Sequence, residues 1–341
     1  MAALSTQLPT MMDLAKMLDP DGKTLAQIVP ILNQDNEILP RLRWQESNGT
    51  WSHRTTYHTS LPTPTWSKIN GSIAPAKGTT GQSTDGMGEM QGYSQVDPIL
   101  ADASGNVNAF RLRQDAMHMQ GMSHEFAQTL FYGNADLVPE EFTGLSARYA
   151  ASGSSALKTE TAENILDGGS NDTDNTSIWI ICMDSDMPGV TGIYRPGSQA
   201  GLKMTNKGLQ TVSVGSGGEF AERYVTHYRW SCGIAVPDWR KNVRIANIEV
   251  SDLTKNAATG ADLLDLIMQG LELLPSGAQS SAVILGNRVV SSFLRRQSRN
   301  AIASSTLGYE TVAGKPVLTV GGVPFLRCDA LTNAESAVPF S

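Results

Sequence analysis

The stretch VNAFRLRQDAMHMQGMSHEFAQTLF occupies residues 107–131 of a 341-residue chain, and it sets the fold class that the sequence predicts. It contains no proline, and its apolar residues recur at helical spacing, with Phe110 and Met117 on one line. Asn106 can cap the start of a helix, and Gly133 can end it as a left-handed C-terminal residue. We therefore expect one helix of about 25 residues here, and the sequence differs in character on its two sides.

On the C-terminal side, short apolar runs typical of strands are mixed with two amphipathic helical segments. The predicted strands are residues 178–183, 212–214, 224–232, 243–250, 283–285, 316–320 and 323–328, and the predicted helices are residues 261–274 and 287–299. The chain shows no internal repeat and no alternating series of strands and helices. The fold class predicted is therefore α+β.

On the N-terminal side, residues 44–104 are rich in Thr, Ser, Gly and Pro and have almost no helical periodicity. Residues 53–59 alternate like a strand, and the apolar content falls between residues 73 and 92. About 60 residues without a core pattern are unusual inside a compact domain, so the region is either disordered or a long hairpin that packs on something else. Before it, residues 11–39 read as a helical arm with breaks.

The chain is short of charge, with 17% charged residues against about 25% in a typical soluble protein. A surface covered by other chains needs less charge than one that stays in water. The net charge of −7 argues against a dedicated nucleic-acid-binding domain. Three dispersed cysteines favour buried thiols in a reducing compartment, and neither a signal peptide nor a membrane-spanning run is evident.

Motifs that would carry chemistry are incomplete. The segment Gly22-Lys23-Thr24 ends like a phosphate-binding loop, but Met17 stands where the first glycine is needed. His124-Glu125 begins like a zinc-protease helix, but Gln128 occupies the position of the second histidine. Residues 171–175 could contact a cation loosely, although a solvated acidic loop is the favoured interpretation. We therefore predict no catalytic, cofactor-binding or metal-binding residues, and no enzyme.

One predicted helix is strongly basic. It carries Arg288, Arg295, Arg296 and Arg299 and no acidic residue. Such a helix could contact phosphates, but pairing with acidic loops of this or another subunit is the favoured interpretation. We predict a basic contact helix.

The order of these parts resembles that of the major capsid proteins of tailed double-stranded DNA bacteriophages, and the sequence resembles the podovirus type over nearly the whole chain. The stretches that carry the resemblance are DLAK at 13–16, DPDG at 19–22, HRTT at 53–56, LPTPTW at 61–66, TLFYGN at 129–134, PEEFTGL at 139–145, NTSIW at 175–179, GSQAGL at 197–202, DWR at 238–240 and VRIANI at 243–248. None is diagnostic alone, but their number and order make the resemblance specific.

The resemblance implies the Johnson capsid fold and its divisions. Residues 1–43 would be the N-terminal arm and residues 44–104 the E-loop region. Residues 105–176 would form the P-domain with its spine helix, and residues 177–306 the A-domain. Residues 307–341 would return to the P-domain and end in a tail.

The function that the resemblance implies is structural. The chain would assemble into hexamers and pentamers of an icosahedral shell that encloses the phage DNA, and it would be found in the virion after assembly in the bacterial cytoplasm. Its partners would be copies of itself, a portal protein and non-specifically bound DNA, with room for a separate scaffolding protein and a cement or decoration protein, and no membrane. The alternatives are an encapsulin-like nanocompartment and, from another class, a soluble α+β hydrolase.

The resemblance also implies where subunits meet. An extended hairpin cannot stabilise itself, so the E-loop is expected to lie across a neighbouring subunit. The candidate contact residues are Trp66, Lys68, Lys77, Asp85 and Glu89. Deleting residues 73–92 is expected to leave the P- and A-domains folded and to abolish assembly.

Overall fold

The computed structural model describes residues 8–9, 11, 36–150, 161–170, 172–183, 188–198, 200–214, 219–254, 260–300, 307–312 and 315–340. Most of the predicted N-terminal arm lies outside these residues. The strands are β1 Trp44–Glu46, β2 Ser52–Ser60, β3 Thr79–Val96, β4 Ile165–Asp167, β5 Asn175–Cys182, β6 Thr191–Tyr194, β7 Lys203–Val214, β8 Glu219–Ala235, β9 Asn242–Glu249, β10 Ala282–Gly286, β11 Leu307–Val312, β12 Lys315–Val320 and β13 Val323–Arg327. The helices are α1 Pro98–Ala103, α2 Val107–Tyr132, α3 Leu145–Arg148, α4 Leu263–Glu272 and α5 Arg288–Asn300.

The long helix α2 has 26 residues, and the prediction from periodicity is confirmed. The Asn106 side chain accepts a hydrogen bond from the Ala109 amide at 3.1 Å, as expected of an N-cap. The prediction that Gly133 is left-handed is wrong, because its φ is −54°. Glycine is needed there for space, since a Cβ atom would lie 2.5 Å from the Phe142 carbonyl oxygen.

A six-stranded sheet packs against α2. Its order is β1-β6-β8-β3-β2, with β7 also paired to β8. Phe126 of α2 stacks on Trp230 of β8 at a ring-centroid distance of 4.7 Å, and His118 stacks on Tyr228 at 5.7 Å. Strands β6 to β8, which the sequence placed in the A-domain, therefore share a sheet with β3 beneath α2. Local patterns do not reveal such long-range pairings.

Strands β2 and β3 form the long hairpin that was one of the two alternatives for the N-terminal side. They pair antiparallel from Ser52 with Gly86 to Ser60 with Thr79. Beyond Gly86, β3 continues into the sheet and pairs with β8 as far as Val96. The deletion of residues 73–92 would also remove the part of β3 from Met87 to Gly92 that pairs with β8, so it would change the sheet as well as the hairpin.

The second sheet has seven strands in the order β11-β12-β13-β10-β5-β9-β4. Every residue of β5 is buried. Trp179 and Ile181 of β5 face a core shared with α2, whereas Ile178 and Ile180 face a second core under α4 and α5. The hairpin of β12 and β13, for which the resemblance implies a return to the P-domain, pairs with β10 in this sheet.

The segment after β13 contacts both β9 and α2 through the buried side chain of Glu335. Glu335 accepts hydrogen bonds from Arg244 Nη2 at 2.8 Å, from the Ser177 hydroxyl at 2.5 Å and from the Tyr132 hydroxyl at 2.5 Å. Burial and the Glu335 carboxylate raise the pKa of Tyr132 well above its usual value. The segment thus connects the seven-stranded sheet, through Arg244 and Ser177, to the end of the long helix.

All three cysteines are free and buried, as predicted. Burial raises the pKa of Cys182 to about 11 and those of Cys232 and Cys328 to about 12. Among the described residues, no helix is both long and apolar enough to cross a membrane.

Candidate inter-subunit interface

Residues 61–78, here called the hairpin tip, join β2 to β3 and are almost entirely exposed. Trp66 is 102% exposed and Ile69 is 96% exposed, and Leu61 and Ile73 are also open to solvent. Apolar side chains grouped in this way mark interaction surfaces. Lys68 and Lys77 are the charged residues of the hairpin tip, which therefore carries two positive charges and no acid.

The local sequence explains why the hairpin tip is neither helix nor strand. Pro62, Pro64 and Pro75 lack the amide hydrogen that a ladder needs. Asn70 has a φ of +65°, a conformation that asparagine tolerates, and the Gly71 amide closes the turn by donating to the Lys68 carbonyl at 2.9 Å. The hairpin tip is thus an extended, turn-containing segment whose side chains contact little of their own chain.

Below the hairpin tip, residues 52–60 and 79–86 form a two-stranded ribbon. Among the described strands, this part of β3 pairs with β2 alone, since β8 pairs with β3 only from Met87 onward. A two-stranded ribbon in water is marginally stable at best. A covering partner would therefore stabilise both the ribbon and the hairpin tip.

Ion pairs hold the ribbon to the rest of the subunit at the end of the ribbon opposite the hairpin tip, here called the ribbon root. Asp85 is buried, at 2% exposure, and forms an ion pair with Arg148 Nη1 at 2.5 Å. Arg148 also donates from Nη2 to the Thr143 carbonyl at 3.1 Å. Farther along β3, Glu89 accepts a hydrogen bond from Arg229 Nη2 at 2.9 Å.

These contacts divide the five predicted contact residues into two groups. Trp66, Lys68 and Lys77 lie on the exposed hairpin tip, and for them the prediction stands as a prediction. Asp85 and Glu89 are instead bound within their own subunit, and Asp85 is too deeply buried to reach a neighbour. The sequence-based prediction is corrected for Asp85, which is buried where β3 enters the sheet, and for the partly exposed Glu89 it stays a prediction.

A second exposed surface, which the sequence did not single out, lies next to the ribbon root. Residues 134–141, here called the root loop, read NADLVPEE and follow α2. Leu137 is 79% exposed and Val138 is also exposed, and they lie among Asp136, Glu140 and Glu141 with no basic residue. The feature of the sequence that could have indicated this surface is a pair of apolar residues flanked by acidic residues directly after the helix.

The root loop is ordered by its own hydrogen bonds. The Asp136 amide donates to the Asn134 side-chain oxygen at 3.0 Å, and the Val138 amide donates to the Asn134 carbonyl at 2.9 Å. The loop also touches β3, because a Cβ atom on Gly88 would lie 2.8 Å from the Glu140 carbonyl oxygen. The backbone of the root loop is therefore held in a defined conformation.

The basic helix predicted from the sequence is α5. Arg295 and Arg296 are exposed, and the Arg296 guanidinium lies 5.0 Å from the centre of the Phe293 ring. Arg288 donates from Nη2 to Asp329 at 3.0 Å, and the side chain of Arg299 lies outside the described residues. Its role as a contact helix stays a prediction.

The acidic segment around residue 172 has a definite arrangement. Carboxylate oxygens of Asp172, Asp174 and Glu249 lie within 4.8 Å of one another. The Ser170 and Ser251 hydroxyls donate to the two oxygens of Glu249, at 2.9 and 3.0 Å. Exposed acidic groups of this kind are common on protein surfaces, and the interpretation as a solvated acidic loop is kept.

Comparison with known proteins gives a consistent result. A family model described as major capsid protein GP7 matches residues 19–339. A chain of the cryo-electron microscopy structure of bacteriophage Epsilon15 is 28% identical, is covered over 99% of both chains and has a TM-score of 0.76. No curated protein matches.

Two other solved structures are more distant. A chain of the bacteriophage JBD30 capsid is 10% identical over 96% of both chains, with a TM-score of 0.47. The SrpI encapsulin of Synechococcus elongatus PCC 7942 is 12% identical over 67% of this chain and 95% of that one, with a TM-score of 0.38.

Proposed function

Because this chain belongs to the major capsid protein GP7 family, we propose that it assembles into hexamers and pentamers of an icosahedral shell and that the hairpin tip is one of the contacts between subunits. The predictions of a phage major capsid protein, a structural rather than enzymatic role and a place in the virion are confirmed by the family. The predicted α+β capsid fold is confirmed by the Epsilon15 structure. The encapsulin and hydrolase alternatives are not supported.

The observation that carries the proposal is the exposure of the hairpin tip. Burying a side chain such as Trp66 or Ile69 is worth about 2 kcal/mol, and the single subunit gains none of this. A contact repeated around every ring of a shell adds up to strong assembly from weak joints. Residues 61–78 therefore have their stabilising partner in the shell rather than in their own subunit.

The proposal assigns the capsid divisions to the described elements. The ribbon and hairpin tip correspond to the E-loop. Helix α2 and the six-stranded sheet correspond to the P-domain, and the seven-stranded sheet with α4 and α5 corresponds to the A-domain. The N-terminal arm is assigned to residues 1–43 from the sequence alone.

The remaining partners belong to the same proposal. The shell would enclose double-stranded DNA without sequence preference, include a portal protein at one vertex and form in the bacterial cytoplasm. A separate scaffolding protein and a cement or decoration protein are compatible with it. The net charge of −7 supports loose rather than tight DNA contact, because DNA binding depends on neutralising phosphates with Lys and Arg.

Replacing the hairpin tip tests the proposal. Ser60 and Thr79 are ladder partners, so residues 61–78 can be replaced by Asn-Gly, which favours a two-residue hairpin turn. Co-expressed with the other structural proteins of its phage, the wild-type chain should form shells visible by electron microscopy. The shortened chain should fold, with an unchanged circular dichroism spectrum, and remain unassembled.

A matched control separates the side chains from the length of the hairpin tip. In it, residues 61–78 are replaced by a Gly-Ser linker of the same length, and it should also fail to form shells. Normal shells from the Asn-Gly variant would overturn the assignment of the hairpin tip to an inter-subunit contact.

A further inference from the structure

We propose that the hairpin tip of one subunit docks on the root loop of a second copy of the chain. The inference rests on the proposed function and deepens it by naming the surface that receives the hairpin tip. It follows from three observations: the complementary character of the two surfaces, the distance between them within one chain and the rigidity of the root loop.

The two surfaces are complementary in charge and alike in apolar content. The hairpin tip presents Trp66 and Ile69 beside Lys68 and Lys77. The root loop, residues 134–141, presents exposed Leu137 and Val138 among three acidic residues. Among the described residues, none of these five charged side chains forms an ion pair.

The charge of the hairpin tip is also opposite to that of the chain that carries it. The chain as a whole has a net charge of −7, whereas the hairpin tip has two lysines and no acid. A positively charged segment on an acidic subunit is attracted to other copies of that subunit. Opposite potentials of this kind set the register of an interface and exclude wrong partners.

Within one chain the two surfaces are too far apart to meet. The root loop contacts β3 at Gly88, and the hairpin tip ends at Gly78, directly before β3 begins at Thr79. Nine residues of extended strand between them span roughly 30 Å at about 3.3 Å per residue. The ladder between β2 and β3 holds this distance, and the full exposure of Trp66 excludes folding back in the described conformation. The contact must therefore join two copies.

The placement of the root loop suits a head-to-tail contact. It lies at the ribbon root, which the buried pair of Asp85 and Arg148 fixes to the subunit. Each copy therefore presents a positive apolar surface at the far end of the ribbon and a negative apolar surface at the near end. A head-to-tail contact of this type generates rings when the rotation closes, as in hexamers and pentamers.

A charge-reversal cycle tests the docking. Three variants are compared. The first combines Lys68→Glu and Lys77→Glu, the second combines Asp136→Lys and Glu140→Lys, and the third carries all four changes. Each of the first two should lower the yield of shells by at least about tenfold, because each places like charges opposite each other at the proposed contact. The combined variant should recover most of the wild-type yield.

A control pair shows whether recovery is specific. Asp172→Lys reverses an exposed acidic side chain elsewhere on the subunit, and it should not rescue the variant with Lys68→Glu and Lys77→Glu. Recovery with Asp172→Lys but not with the root-loop changes would overturn the inference.

A covalent test does not depend on charge. All three native cysteines are buried, so among the described residues the accessible thiols of the double variant are those introduced by Ile73→Cys and Leu137→Cys. Oxidised shells of this double variant should give a ladder of covalent multimers extending beyond dimers. Ile73→Cys combined with Ile99→Cys, at an exposed site on α1, should give none.

The outcomes separate the two levels of the proposal. If the Asn-Gly variant assembles normally, both the proposed function of the hairpin tip and the docking inference fail. If that variant does not assemble, but the charge cycle shows no rescue and the cysteine pair forms no ladder, the hairpin tip contacts another surface and the docking inference alone is overturned.

Discussion

The seven-stranded sheet and the hairpin tip use similar side chains in opposite ways. Trp179 and Ile180 of β5 are fully buried, whereas Trp66 and Ile69 of the hairpin tip are 102% and 96% exposed. The sheet residues stabilise the subunit as soon as it folds, and the hairpin-tip residues contribute nothing until another molecule covers them. Under the proposed function, folding and assembly depend on different residues of one chain, and mutations should affect them separately.

The largest difference should appear between the two tryptophans. Trp179 packs edge-on against Tyr149 and lies beneath the Arg244 guanidinium. Trp179→Ala should reduce the free energy of unfolding by about 3–5 kcal/mol, because it leaves a cavity in a closed core. Urea denaturation of the unassembled subunit measures this. Trp66→Ala is the matched control and should change it very little. Similar losses from both would break the comparison.

The buried Glu335 should come next. Glu335→Ala leaves the Arg244 guanidinium buried without its carboxylate, and the unfolding free energy should fall by about 3 kcal/mol. Glu335→Gln keeps oxygen acceptance from Tyr132 and should cost less. The same denaturation experiment compares them, and a Glu335→Gln variant as stable as the wild type would contradict a role for the charge.

The junction of the two regions can be tested at a glycine. A Cβ atom at Gly88 would lie 2.8 Å from the Glu140 carbonyl oxygen, whereas one at Gly92 meets nothing within 4 Å. Gly88→Ala should therefore destabilise the subunit by about 1–3 kcal/mol through overpacking. Gly92→Ala, in the same strand, should be neutral or slightly stabilising. A stable Gly88→Ala variant would mean that the root loop does not lie against β3.

The smallest effect on the subunit should come from Ile69. Ile69→Ser changes an exposed side chain, so the unassembled subunit should keep its unfolding free energy within about 0.5 kcal/mol. Assembled shells should nevertheless dissociate at a lower temperature, which light scattering during heating measures. An Ile69→Ser shell as heat-resistant as the wild type would remove this residue from the contact.

Local patterns in the sequence predicted most elements and the general nature of the hairpin. The period of the long helix and its Asn106 cap are properties of neighbouring residues, so they could be read directly. The same holds for the apolar run that became β5. These are the features for which local physical preferences and the final structure agree.

Long-range pairing could not be read in this way. Nothing near β8 indicates that it pairs with β3, more than 120 residues earlier, and the divisions predicted from the sequence therefore place these two strands in different parts of the chain. Asp85 was assigned to an interface because it lies in the predicted E-loop region, but it is buried and its partner Arg148 lies 63 residues away. Gly133 was explained by backbone conformation, although crowding by Phe142 is the reason for glycine there.

The burial of the cysteines has a consequence for the lifetime of the particle. A virion persists outside cells, where oxygen turns accessible thiolates into sulfenic acids and disulfides. Cys232 and Cys328 are shielded in one buried core and Cys182 in a second, and the raised pKa of each keeps the reactive thiolate scarce. The cysteines should therefore resist oxidation by air, which would otherwise link subunits by disulfides or change the packing of the cores.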